Sequence, residues 1–138
     1  MKKYIFIVIL IYIASILATT VFTDKINAVS ILVISIVQMI LSVILLFLFK
    51  ADGKERLRVL AGINVCFFSI YNIIQNFFIL SGSRLERILE NSSFINSNNI
   101  SESLNSPVEN TITSIAIIII LHWIVTYRLS RAKRDETV

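Results

Sequence analysis

The groups able to do chemistry in this chain are few, and most lie in apolar surroundings. His122 is the only histidine and Cys66 the only cysteine among 138 residues. Within the apolar stretches His122 alone titrates near neutral pH, so it is the one candidate for moving a proton. A metal site needs three or four ligands. No second His, Cys or carboxylate lies at a comparable depth, so a metal centre is excluded. Cys66 has no partner for an intramolecular disulfide, and in an apolar helix it is expected to be a small buried packing residue. No Asp or Glu interrupts the apolar stretches, which removes the usual device for coupling to a proton gradient. There is no nucleophile–base–acid set, no Gly-rich phosphate loop and no spaced ligand motif. An enzyme is not expected, and no cofactor is implied.

What remains is a set of amides and hydroxyls at helical spacing. Taken at about 100° per residue, they fall into four seams. Tyr12, Ser15 and Thr19 form the first, and Ser35, Gln38 and Ser42 the second. Asn64, Tyr71 and Gln75, flanked by Asn72 and Asn76, form the third, and Thr111, His122 and Thr126 the fourth. An amide facing hydrocarbon loses its hydrogen bonds at a cost of several kcal/mol. Interhelical bonds recover about 0.6 to 2 kcal/mol each, so all four seams are expected to point inward. Counting along the apolar stretches puts Ser15, Gln38, Asn72 and His122 at one depth, where they are expected to form a hydrogen-bonded cluster. Asn64, Tyr71, Gln75 and Asn76 complete the candidate polar site. Its two readings are glue that fixes helix register, or a small polar cavity for a solute, a proton or a lipid headgroup. The third seam, with three Asn and one Gln, exceeds what glue alone requires.

The elements that must position these groups are long apolar helices. Tyr4–Thr23, Ile26–Phe49, Val59–Leu80 and Asn110–Tyr127 contain no charged residue over 20, 24, 22 and 18 positions. At about 1.5 Å of rise per residue, such lengths match a hydrocarbon layer roughly 30 Å thick. Hydrophobic residues make up 56% of the chain and charged residues 16%, too few for an ordinary water-facing surface. The expected fold is all-α: an integral membrane four-helix bundle, one four-span domain over residues 1–138. No remaining segment is large enough to bury a core of its own. Met1-Lys2-Lys3 with the following apolar run resembles a secretory signal peptide. The run is too long for one, and the Ala18-Thr19-Thr20 site ends poorly, so retention as a span is expected; cleavage would leave three.

Charge placement orients the spans. Lys2, Lys3, Lys50, Lys54, Arg56, Arg58, Arg128, Arg131, Lys133 and Arg134 fall on one side of an alternating chain, and only Lys25, Arg84 and Arg87 on the other. Ten against three predicts that both termini are cytoplasmic. A nucleic-acid partner is not expected despite the net charge of +4, because no soluble face carries that charge. The basic tail after Tyr127 should attract anionic lipid. Its final Glu136-Thr137-Val138 lacks the hydroxyl residue expected of a C-terminal peptide ligand.

The loops differ in kind. Asp24-Lys25 allows only a tight antiparallel hairpin, expected to pack as a unit. Lys50–Arg56 is a charged inner loop with Gly53 as a helix stop. The outer loop, residues 81–109, opens with an amphipathic segment whose Leu85, Ile88 and Leu89 share a face, and whose Ser83 and Glu86 have capping-box spacing. That face is expected to rest on the outer leaflet or on the bundle. Asn91–Ser106 is Asn- and Ser-rich and expected to be mobile, and Pro107 marks entry to the last span. Two glycosylation-type triplets, Asn91-Ser92-Ser93 and Asn99-Ile100-Ser101, are the number chance gives in so Asn- and Ser-rich a stretch. Heavy use of Ile and Lys favours a bacterial cytoplasmic membrane.

Tetraspanin- and claudin-like proteins carry cysteines in an outer loop, and small multidrug transporters a glutamate in the first span; this chain has neither. No internal repeat links its halves, which argues against an inverted-repeat transporter. The expectation is a small non-enzymatic, multi-pass protein of the cell membrane. Besides the lipid bilayer, its partner is another membrane protein or a second copy, in an accessory, regulatory or immunity role. The alternatives are a small-solute transport or permeation protein and a phage-type membrane permeabiliser.

Overall fold

A computed structural model describes residues 1–49, 54–92 and 106–135. The chain runs through α1 (Lys2–Val21), a 3₁₀ turn (Thr23–Lys25), α2 (Ala28–Leu48) and α3 (Lys54–Ile74). A π-helical stretch, Gln75–Ile79, continues α3, and α4 (Gly82–Glu90) and α5 (Pro107–Asp135) follow. Four of these helices, with α3 taken through its π-helical stretch, are long and apolar enough to cross a membrane. The Gly53 stop, the Asn99 triplet, most of the Asn- and Ser-rich run and the Glu136–Val138 end lie outside the described residues.

Local chemistry sets the helix ends. Asn27 holds extended backbone before α2, and its side-chain oxygen accepts from the Ser30 N–H, satisfying a donor that the first turn leaves free. Within α1, the hydroxyls of Ser15, Thr19 and Thr20 donate to carbonyls one turn back. Each polar side chain is thereby satisfied inside its own helix. Ser81 precedes α4 without a side-chain cap, and Gly82 takes a left-handed φ of 56°. Glycine alone does this freely, and it turns the chain from α3 directly into α4. The helix therefore starts one residue before Ser83, and the box read from Ser83 and Glu86 is not what caps it.

α3 lies at the centre of the bundle. It packs most extensively on α5 and next on α1, while the α1–α2 hairpin contact is smaller. The hairpin is thus present, but α1 is held chiefly by α3. Contacts give the directions: Tyr4 meets Leu60 and Tyr12 meets Asn64, so α1 and α3 run parallel. Asn64 meets His122 and Asn76 meets Thr111, so α5 runs antiparallel to α3. The main core gathers Tyr4, Val8, Tyr12, Leu46, Leu60, Phe68, Tyr71 and Ile118. Tyr4, Val8 and Tyr12 recur every fourth residue and form one buried stripe on α1.

α4 folds back over the α1–α2 turn. Ile88 is fully buried against Ile26, Ile31 and Leu80, so the amphipathic face rests on the bundle. Leu85 and Leu89 are half-buried beside it. The Ser92 hydroxyl accepts from the Ala28 N–H at 2.8 Å, and the Asn91 side chain donates to the Asp24 and Ile26 carbonyls, both at 3.1 Å. Arg87 pairs with Asp24 at the exposed rim. Asn91 and Ser92, the start of one glycosylation-type triplet, are therefore structural: the amide nitrogen that would carry a glycan is already engaged.

Cys66 corrects an expectation. It is exposed on the outer side of α3 rather than packed inside. The inward face of α3 is taken by Asn64, Phe68, Tyr71 and Gln75, and Cys66 lies away from that stripe. In this bundle the polar seam is inside and much of the apolar surface, including Leu32, Ile36, Ile40, Ile120 and Trp123, faces out.

Candidate functional site

The four seams meet at Asn64, one turn from the core residues Leu60 and Phe68 and only 1% exposed. Its side-chain oxygen accepts from the Tyr12 hydroxyl of α1 at 3.3 Å. Its amide nitrogen donates to the Ser42 carbonyl of α2 at 3.0 Å and to Nε2 of His122 on α5 at 3.0 Å. A carbonyl can only accept, so the Ser42 contact fixes which way the carboxamide points. Nε2 of His122 must then accept, and its Nδ1–H donates to the Ile118 carbonyl at 2.9 Å. The ring is therefore the neutral Nδ1–H tautomer, held at both nitrogens. One side chain joins four helices and has all its hydrogen-bonding groups in use.

The depth-counted cluster is not what forms. Ser15 donates to its own Ile11 carbonyl and Asn72 to its own Phe68 carbonyl. Of the expected set only His122 enters the interhelical network, with Asn64 in place of Asn72. The reason is register. Asn72 and His122 each lie past the midpoint of their own uncharged stretch, and on antiparallel helices those offsets point in opposite directions, so the two are about six residues, or about 9 Å, apart in height.

The other seam residues fall into two groups. Asn76 donates to the Thr111 hydroxyl at 2.8 Å, a second α3–α5 bridge near the π-helical stretch. Gln38, Tyr71 and Gln75 are buried, but both polar atoms of the Gln38 carboxamide, the Tyr71 hydroxyl and the Gln75 side-chain oxygen lack a hydrogen-bond partner among the described residues. Tyr71 and Gln38 are neighbours, but outside hydrogen-bond geometry. Beside them Tyr12 and Tyr71 lie with ring centroids 5.5 Å apart. The space bounded by Tyr12, Gln38, Ser42 and Asn64 has no room for a water molecule.

Sequence reasoning missed three anchors. The Tyr4 hydroxyl, fully buried, donates to the Leu60 carbonyl at 3.1 Å. Tyr12 and Ser42 were placed in seams but not in the site. The fourfold spacing of Tyr4, Val8 and Tyr12 was the signal available for the first two. Ser42 contributes a backbone carbonyl, for which no side-chain pattern exists.

One open space borders the network. A groove of about 300 Å³ lies between α3 and α5, lined by Arg58, Gly62 and Val65 on one side and Ile119, His122, Trp123, Thr126 and Ser130 on the other. Among the described residues no group of three His, Cys, Asp or Glu side chains is placed to hold a metal ion. No known protein family, curated protein or solved structure matches the chain.

Proposed function

We propose that this is a small non-enzymatic protein that crosses the cell membrane four times and acts through contacts with another membrane protein or with a second copy of itself. Four helices of spanning length, with antiparallel α3 and α5 and parallel α1 and α3, support alternate crossings. The ten-to-three charge bias supports an orientation with both termini in the cytoplasm. Intact cells test it. In a Cys66→Ser background, Ser83→Cys should react with an impermeant maleimide, and Lys3→Cys only after permeabilisation. The reverse pattern would overturn the orientation.

The observation that carries the contact role is the closed centre. The Asn64 network ties the side chains of Tyr12, Asn64 and His122 to one another, and the space beside it admits no water. Function then falls to the outer faces. α5 is the least buried of the four long helices, and it presents Ile112, Ile120, Trp123 and Ile124 outward. Copurification in mild detergent is expected to return a defined complex or oligomer. A monodisperse, partner-free monomer on repeated preparation would count against this role.

A permeation role is the second reading, favoured by the unpartnered Gln38, Tyr71 and Gln75. A rearranged state that opened this row would expose polar groups suited to a small neutral solute. Solute flux in proteoliposomes, abolished by Asn72→Leu and His122→Ala with the fold intact, would establish it.

A further inference from the structure

We propose that the α3–α5 groove is a binding site for a phospholipid with an anionic headgroup. The headgroup phosphate sits at the Arg58 end and one acyl chain runs inward toward Ile119. The groove is open beside Gly62, where an added Cβ would meet nothing within 4 Å. Gly62 is therefore not there to let two helices touch; it leaves width between them. The space, about 300 Å³, suits a chain segment rather than a single solvent molecule.

Its polarity is graded along its length. Because α3 and α5 are antiparallel, Arg58 and Ser130 share one end, and Val65 and Ile119 share the other. Arg58 has no ion-pair partner among the described residues. Thr126, in the groove wall, is only 8% exposed, and its hydroxyl has no hydrogen-bond partner there. The α1 threonines Thr19 and Thr20 spend their hydroxyls on the carbonyl one turn back; Thr126 does not. A guanidinium with an unspent hydroxyl less than one turn deeper suits a phosphate and the ester linkage behind it. Trp123 and Tyr127 stand on the outer wall with ring centroids 6.4 Å apart, as aromatic side chains do at headgroup level. A second copy fits this mouth poorly, since a symmetric contact here would bring Arg58, Arg128 and Arg131 against their own copies. The site rests on the membrane-spanning reading, and not on the partner role.

The test is native mass spectrometry of the full chain in mild detergent with phosphatidylglycerol or phosphatidylcholine added. The wild type should prefer phosphatidylglycerol by about fivefold, the worth of one basic side chain beside an anionic lipid. Arg58→Gln should reduce that ratio to near one. Gly62→Leu should weaken both lipids by filling the groove, with Gly62→Ala as the milder version if the larger residue perturbs folding. Arg84→Gln, in α4 at the other end of the bundle, should change nothing. No preference in the wild type, or undiminished binding in Gly62→Leu, would overturn the site. So would equal binding of glycerol phosphate, which would make the ligand a soluble phosphate, or loss of a dimer in Gly62→Leu with lipid binding intact. Alkaline carbonate separates the premises: release from membranes removes the spanning reading, whereas retention without lipid preference removes the groove alone.

Discussion

Asn64 and Gln38 are both neutral amides only 1% exposed, and they have opposite fates. Every polar group of Asn64 is bonded; neither polar atom of Gln38 has a partner among the described residues. Substitution should therefore move stability in opposite directions. Asn64→Leu removes three bonds between helices and strands the Tyr12 hydroxyl and Nε2 of His122. At about 0.6 to 1.7 kcal/mol per bond, a loss of about 2–5 kcal/mol is expected in mixed-micelle unfolding. Gln38→Met keeps the length of the side chain and removes its unpaired amide. A gain of about 1 kcal/mol is expected in the same measurement, the lower end of the cost of an unsatisfied buried polar group. If Gln38→Met destabilised the protein, the carboxamide would have a partner in the working state, and the permeation reading would strengthen. This contrast was not legible in the sequence, where Gln38 and Asn64 look alike. Whether an amide is satisfied depends on what faces it across the helix interface.

Among the elements, α4 is the clearest case of a segment whose form was readable and whose place was not. The spacing of Leu85, Ile88 and Leu89 announces an amphipathic helix, but that pattern is equally suited to a leaflet and to a protein surface. The surface was decided by Ile26, Ile31 and Leu80, which enclose Ile88, and by the Asn91 and Ser92 bonds to the α1–α2 turn. Burial of Ile88 should dominate the docking energy, because the Arg87–Asp24 pair is exposed and such pairs contribute little. Ile88→Ala is expected to cost about 2–4 kcal/mol of local stability and to speed hydrogen exchange across residues 82–92 by roughly two orders of magnitude. Arg87→Ala should leave that exchange nearly unchanged. Equal effects of the two would mean that charge, not packing, holds α4 down.

At the scale of the whole molecule, the distribution of polarity decides what can pass through the bundle. The Asn64 network joins all four long helices, and the space beside it has no room for water. Vesicles reconstituted with the protein should therefore keep an entrapped anionic dye as long as protein-free vesicles do. Rapid release would show that the closed arrangement is not the one that works in a bilayer, and would favour the permeabiliser. The groove between α3 and α5 opens laterally, toward the surroundings of the bundle.

The sequence alone determined the number and approximate limits of the long helices. Uncharged runs of this length have few other ways to satisfy their backbone than as helices. It also determined which side of each helix carries the polar groups, since that follows from 3.6-residue periodicity. It did not determine which polar side chains meet. The antiparallel packing of α3 on α5 puts Asn64, and not Asn72, against His122. Nor could it separate bonded from stranded amides, reveal the Ser42 carbonyl as an acceptor, or foresee the width left beside Gly62. Periodicity along one chain fixes angles about a helix axis. Only the packing of helix against helix fixes the heights and gaps at which those angles meet.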